Sequence, residues 1–168
     1  TALVKDKSIL VAVDNTFASP YLQNPLDLGA DIVMHSVTKY ISGHSDVVMG
    51  ALIVNDQALY DRLFFYYNAC GGTPGPQDCF LVLRGIKTLH LRMQAHCENA
   101  AKVAQYLKNH PRVEKIYWPG FEDHPGHDIA NRQMRGYGGM VSIVLKDANL
   151  EETYRISSGF EVFTLAES

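Results

Sequence analysis

Short, unbroken apolar runs dominate the first third of the chain. Ile9-Leu10-Val11-Ala12-Val13 has no polar interruption, the pattern of a strand buried on both faces of a parallel sheet. It ends at Asp14-Asn15-Thr16. Pro20 and Pro25 break up the next segment, with helical character predicted up to Leu28 and a stop at Gly29. Ile32-Val33-Met34 reads as the next buried strand and Val47 to Val54 as the one after. Strand, helix, strand at this spacing is the βαβ arrangement of an open α/β sheet. Asn55 or Asp56 is placed to cap a helix running through Asn68. The glycine- and proline-rich stretch from Gly71 to Pro76 is the clearest loop.

A longer period comes after it. Phe80, Leu83, Ile86, Leu89, Met93, Cys97, Ala101, Ala104 and Leu107 recur at steps of three or four, which predicts one helical stripe closed by Pro111. Beyond it, Val113 to Trp118 reads as a strand, His124-Pro125-Gly126-His127 as a loop, and Met140 to Lys146 as an alternating strand. Glu151 to Ser157 is a predicted helix and Val162 to Leu165 a final strand. The expected architecture is therefore α/β. Residues 1–110 form the end of a mostly parallel sheet sandwiched by helices, with the long helix leading out of it. Residues 111–168 begin a smaller α+β unit.

Composition narrows the function classes. The 168 residues carry 15 basic and 18 acidic side chains, interspersed rather than in blocks, so neither a nucleic-acid footprint nor an anionic-membrane patch is visible. The apolar runs fall far short of the roughly 20 residues of a membrane helix. No charged-then-apolar leader is visible. Cys70, Cys79 and Cys97 include no Cys-x-x-Cys pair and read as reduced packing thiols. The expectation is a cytoplasmic protein.

Ligands of open α/β sheets sit beyond the carboxyl ends of the strands. Asp14 lies at one such end and Ser36-Val37-Thr38-Lys39 at the next. Taken singly, the aspartate reads as a turn cap and the lysine as a surface charge. Together, two hydroxyls suit an anion, an amine beside an apolar strand can attack a carbonyl, and a carboxylate can keep a heterocyclic nitrogen protonated. Anion, aldehyde and ring nitrogen describe pyridoxal phosphate. His124 and His127 lack further ligands nearby and read as a surface loop, not a metal pair. His44 reads as structural, and Arg84 and Arg92 as interface or domain-bracing cations.

The residues also carry a resemblance. Val13-Asp14-Asn15-Thr16-Phe17, the Pro25-to-Asp31 segment and the string Ser36-x-Thr38-Lys39-Tyr40-x-x-Gly43-His44-x-Asp46 resemble the pyridoxal-phosphate enzymes of cysteine and methionine metabolism. The likeness continues through Arg84 to Leu89, Arg92-Met93, His124 to His127, Gly138 to Ser142 and Phe163 to Ser168. It implies the large domain of a fold-type I pyridoxal-phosphate enzyme followed by the start of its C-terminal domain. It further implies that Lys39 holds the cofactor covalently and shuttles protons, and that Asp14 pairs with the pyridine nitrogen. Ser36 and Thr38 would bind the phosphate, and Ser168 would lie near the substrate's α-carboxylate.

Relatives of this kind act on small sulfur-containing or O-acylated amino acids and assemble as homotetramers, dimers of dimers. The string from His124 to Val141 looks most like bacterial cystathionine γ-synthases, which replace the γ-acyloxy group of an O-acylhomoserine with the thiol of cysteine. The γ-lyases share nearly all of it, so C–S elimination remains an alternative, as does an inactive fragment. Such relatives are longer at both ends, which implies that further chain completes the site.

Overall fold

The computed structural model describes residues 7–166. Three strands form the first sheet, in the order β1 (Ala12–Asp14), β2 (Ile32–Ser36), β3 (Gly50–Ile53). β1 and β2 run parallel, with Ala12 opposite Ile32 and Asp14 opposite Met34. The two candidate strand ends therefore lie side by side. β3, in contrast, pairs antiparallel to β2, with Ser36 opposite Gly50 and Val33 opposite Ile53. The βαβ reading thus fails for the Val47–Val54 run, because β2 returns through a short turn and loop with no crossover helix. β1 is also shorter and less covered than expected, since Ile9 and Leu10 are about half exposed.

Between β1 and β2 the predicted helix is a single turn, α1 (Ser19–Leu22), and turns replace it through Pro25 to Gly29. Pro25 withholds the amide a continuing helix would need. α2 (Gln57–Cys70) begins as expected: the Asp56 carboxylate accepts from the Leu59 amide at 2.7 Å, and Gly71 closes it in the left-handed conformation. The long apolar stripe is divided. α3 (Pro76–Gly85) gives way to a tight 3₁₀ turn over Ile86–Thr88 before α4 (Leu89–Lys108). Leu89, Met93, Ala100 and Ala104 of α4 are buried, whereas Phe80 and Leu83 of α3 are exposed.

Two clusters make the interior. Leu22, Leu89 and Met93 bind α1 to α4, with Tyr21, Tyr40, Cys97 and Met134 packed around them. Ala104, Trp118 and Phe121 form the second, under a two-stranded antiparallel sheet of β4 (Val113–Tyr117) and β5 (Ser142–Leu145). A seven-residue helix, α5 (His127–Gln133), starts within the predicted histidine loop. His127 Nδ1–H donates to Pro119 O at 2.7 Å and the ring stacks on Tyr137, so it serves packing. No metal-binding cluster exists among the described residues. α6 (Leu150–Ser158) matches the last predicted helix, but no strand forms over Val162–Leu165, whose large apolar side chains are exposed. The three cysteines are free; Cys97 packs in the core, while Cys70 is exposed and is not a packing residue.

A groove of about 1080 Å³ runs between β3 and α2, lined by Met34, Leu52, Tyr60, Phe64, Tyr67 and Pro74 among others. No described helix is long and apolar enough to cross a membrane.

Candidate active site

Parallel pairing sets the geometry. Successive side chains on a strand alternate between faces, so Asp14 shares a face with its neighbour Met34 and with Ser36, while Val33 and His35 are buried on the other. Backbone bonding continues past the strands: Asn15 N–H donates to Met34 O at 2.9 Å.

Thr16 joins the two ends. Its amide donates to Asp14 Oδ1 at 3.0 Å, an Asx turn, and its hydroxyl also hydrogen-bonds that carboxylate. The same hydroxyl accepts from the Ser36 amide at 2.8 Å. Both bonds from Thr16 hold the Asp14 carboxyl below its ordinary value, with partial burial opposing and the nearby His35 adding slightly. Asp14 is therefore ionised at neutral pH. Thr16 is itself buried. The apolar pattern marks it only as the end of a strand, although an Asp-x-Thr spacing is the signature of such a turn.

After Ser36 the chain enters a turn over residues 37–42 that carries Lys39. Lys39 N–H donates to Ser36 O at 3.2 Å, Ser42 N–H to Val37 O at 2.8 Å, and Gly43 N–H to Lys39 O at 2.9 Å. Thr38 closes the loop. Its hydroxyl accepts from the Met49 amide at 3.0 Å and donates to Met49 O at 3.3 Å, while its own amide donates to that carbonyl. The Ser36 hydroxyl makes no hydrogen bond with the described residues, so its proton is available to a ligand. Thr38 must give up its long bond to Met49 O to donate elsewhere. Ser168 lies outside the described residues.

The next residue is anchored on both sides. The Tyr40 ring meets Phe17 edge-on and His96 at a tilt, and its oxygen accepts from the Gly139 amide. Burial pushes the Tyr40 phenol up, so it stays protonated. Arg92 of α4 donates to Tyr40 O at 2.6 Å and Gly85 O at 3.0 Å. The bracing role expected of Arg92 is the one it has.

The structure thus brings Asp14, Ser36, Thr38 and Lys39 to adjacent strand ends. An ionised carboxylate, an uncommitted hydroxyl and a primary amine suit a ligand with a basic ring nitrogen, an anionic group and a carbonyl. A buried polar atom without a partner among the described residues, His35 Nδ1, lies on β2 behind this set.

Comparison with known proteins identifies the family. The family described as "Cys/Met metabolism PLP-dependent enzyme" matches residues 1–168. A cystathionine γ-lyase of Dictyostelium discoideum is 53% identical over 98% of this chain, and a cystathionine γ-synthase of Mycobacterium tuberculosis 55% over 97%. The chain spans 42% of the length of each. The crystal structure of cystathionine γ-synthase from Xanthomonas oryzae pv. oryzae, in complex with aminoacrylate and cysteine, superimposes with a TM-score of 0.94 at 47% identity. That match covers 99% of this chain and 43% of the other.

Proposed function

Because this chain belongs to the Cys/Met metabolism PLP-dependent enzymes, we propose that it carries the lysine-bearing part of an active site for C–S chemistry on sulfur amino acids. One observation carries the reading: Thr16 ties Asp14 to Ser36 at parallel strand ends, three residues before Lys39. Pyridoxal phosphate, when bound, supplies an aldehyde for the lysine and an electron sink for bonds at the substrate's α-carbon.

The chain's own residues divide the work. Asp14, kept ionised by Thr16, holds a proton on the ring nitrogen. The Ser36 hydroxyl donates to the phosphate, and Thr38 joins it once its proton leaves Met49 O. The Lys39 amine would be the covalent anchor and, once free, would carry protons between the substrate's α-carbon and the leaving group. Ser168 is proposed beside the substrate carboxylate. Residues 1–110 are assigned to the large domain with its outgoing helix, and 111–168 to the start of the C-terminal domain. Assembly as a homotetramer and a cytosolic location complete the proposal; the free thiols accord with the latter.

The reaction proposed is γ-replacement of an O-acylhomoserine by cysteine, with γ-elimination from cystathionine as the second reading. The γ-lyase and γ-synthase relatives are almost equally identical to the chain. The test uses the full-length protein containing this chain. Pyridoxal phosphate is added, borohydride reduces the adduct, and peptides are mapped. Label on Lys39, with cystathionine formed from cysteine and an O-acylhomoserine, is the expected result. Label elsewhere, or none, overturns the site; cystathionine cleavage without synthesis selects the second reading.

A further inference from the structure

The position of a catalytic amine depends on what holds its backbone, and here the holding group comes from far along the chain. Between Ser36 and Gly43 the chain satisfies the amides of Lys39, Ser42 and Gly43 within itself. Among the described residues, the carbonyls of Tyr40 and Ile41 have no backbone donor. Unmet, they would cost about 1–3 kcal/mol each where water is excluded.

Arg92 meets both. Its Nη1 donates to Tyr40 O at 2.6 Å and its Nη2 to Ile41 O at 3.3 Å. Nη2 also donates to Gly85 O at 3.0 Å, where α3 ends, and Nε to Thr88 Oγ1 at 3.1 Å. Two glycines admit this approach. A Cβ on Gly43, whose φ is +73°, would lie 2.1 Å from Arg92 Nη1, and one on Gly85 would lie 2.3 Å from Ser42 O. The turn is thus pressed directly onto the α3–α4 junction with the guanidinium between.

Donor counting decides between holding the turn and binding a ligand. A guanidinium has five N–H groups, and four are committed. Only one Nη1 proton remains, too few for the paired grip arginine uses on a carboxylate. Among the described residues no carboxylate pairs with Arg92, so its charge rests on carbonyl dipoles. We infer that Arg92 is the positioning residue of the Lys39 turn: it fixes the peptide units that follow the lysine and so presents the amine, without touching substrate or cofactor. The inference rests on the role proposed for Lys39.

The experiment compares Arg92→Ala and Arg92→Lys with the parent in the full-length protein containing this chain. Three readouts are taken. Hydrogen exchange at the Ser42 and Gly43 amides is followed without cofactor. The rate at which added pyridoxal phosphate becomes borohydride-fixed on Lys39 is measured. Reversible affinity for pyridoxal phosphate is measured in the Lys39→Ala background. For Arg92→Ala, exchange should quicken and fixation slow by about tenfold or more, while reversible affinity changes less than about threefold, because Thr16 and not Arg92 holds Asp14 and Ser36.

Arg92→Lys should fall between, since an ammonium cannot reach all four acceptors. If Arg92→Ala does not fold, Arg92→Lys carries the same three comparisons. Parental exchange and fixation rates in the variants overturn the inference, and so does an equal loss of rate and affinity, which would mark general collapse. Absence of any adduct on Lys39 in the parent would instead overturn the proposed function, leaving exchange to judge the clamp.

Discussion

The turn carrying Lys39 and the groove between β3 and α2 are finished in opposite ways. In the turn, five of the six carbonyls from Val37 to Ser42 accept from a named partner inside the chain, and two glycines let a guanidinium and a carbonyl approach within contact. Around the groove, apolar surface is left open: Val48 is 89% exposed and Tyr66 58%. Both regions lean on glycines with positive φ, yet Gly43 is crowded by Arg92 whereas Gly71 has nothing within 4 Å of where a Cβ would stand. The difference teaches where this chain is over-determined. Polar bonds fix the strand ends, and apolar faces elsewhere are not covered by the described residues.

The comparison can be broken most severely at the lysine. Lys39→Ala should lower turnover of the full-length enzyme by several orders of magnitude, with the cofactor still retained reversibly. Near-parental turnover would remove the reason for treating the turn as special. Next in size is Gly43→Ala, which combines the left-handed penalty with displacement of Arg92 and should cost about 3 kcal/mol by denaturant melts. Its effect and that of Arg92→Ala should be strongly non-additive, since either one removes the clamp. Gly71→Ala, in open space, should cost only about 1 kcal/mol. Equal costs at the two glycines would erase the contrast between turn and groove.

Acid acts on the interior next. Burial lowers both His35 and His96 from 6.5, so each is neutral when folded. The unfolded chain binds more protons below that value, and stability should therefore be full above pH 6.5 and fall as the pH drops beneath it. Asp14 adds a separate loss below its ordinary value of 3.8, as pH falls through its depressed folded value. Denaturation midpoints across this range check the sign, and His35→Gln should flatten the first step. Smallest of all, Phe65→Ser on the exposed face of α2 should shift stability by no more than about 0.5 kcal/mol. A large loss would mean that the exposed face of α2 is as tightly built as the turn.

Much of the site is legible in the sequence because strand ends announce themselves. An apolar run stopping at Asp14, and another stopping before Ser36-Val37-Thr38-Lys39, need only the rule that ligands gather beyond strand termini. Strand direction is not legible. Val47 to Val54 is equally apolar read either way, and only the length of the connection distinguishes a crossover from a return. The stripe from Phe80 to Leu107 has a continuous period, so it hides the break after Gly85, where the Ser42 carbonyl approaches from across the fold. α5 escapes notice because Pro125-Gly126 is a turn signal and only seven helical residues come after it. Arg92 looks like a brace, but which carbonyls it holds depends on partners that no local pattern reveals.

The clamp also has a schedule. Arg92 and Tyr40 are separated by 52 positions, and closing a loop of that length costs entropy that only the finished contact recovers. Residues 7–60 can contain Asp14, Ser36 and Lys39 and still lack the arginine that sets the turn. The lysine's place is therefore settled only when α4 has formed and docked, among the later, long-range steps of folding. A chain interrupted before α4 would carry the chemistry of the site without its geometry.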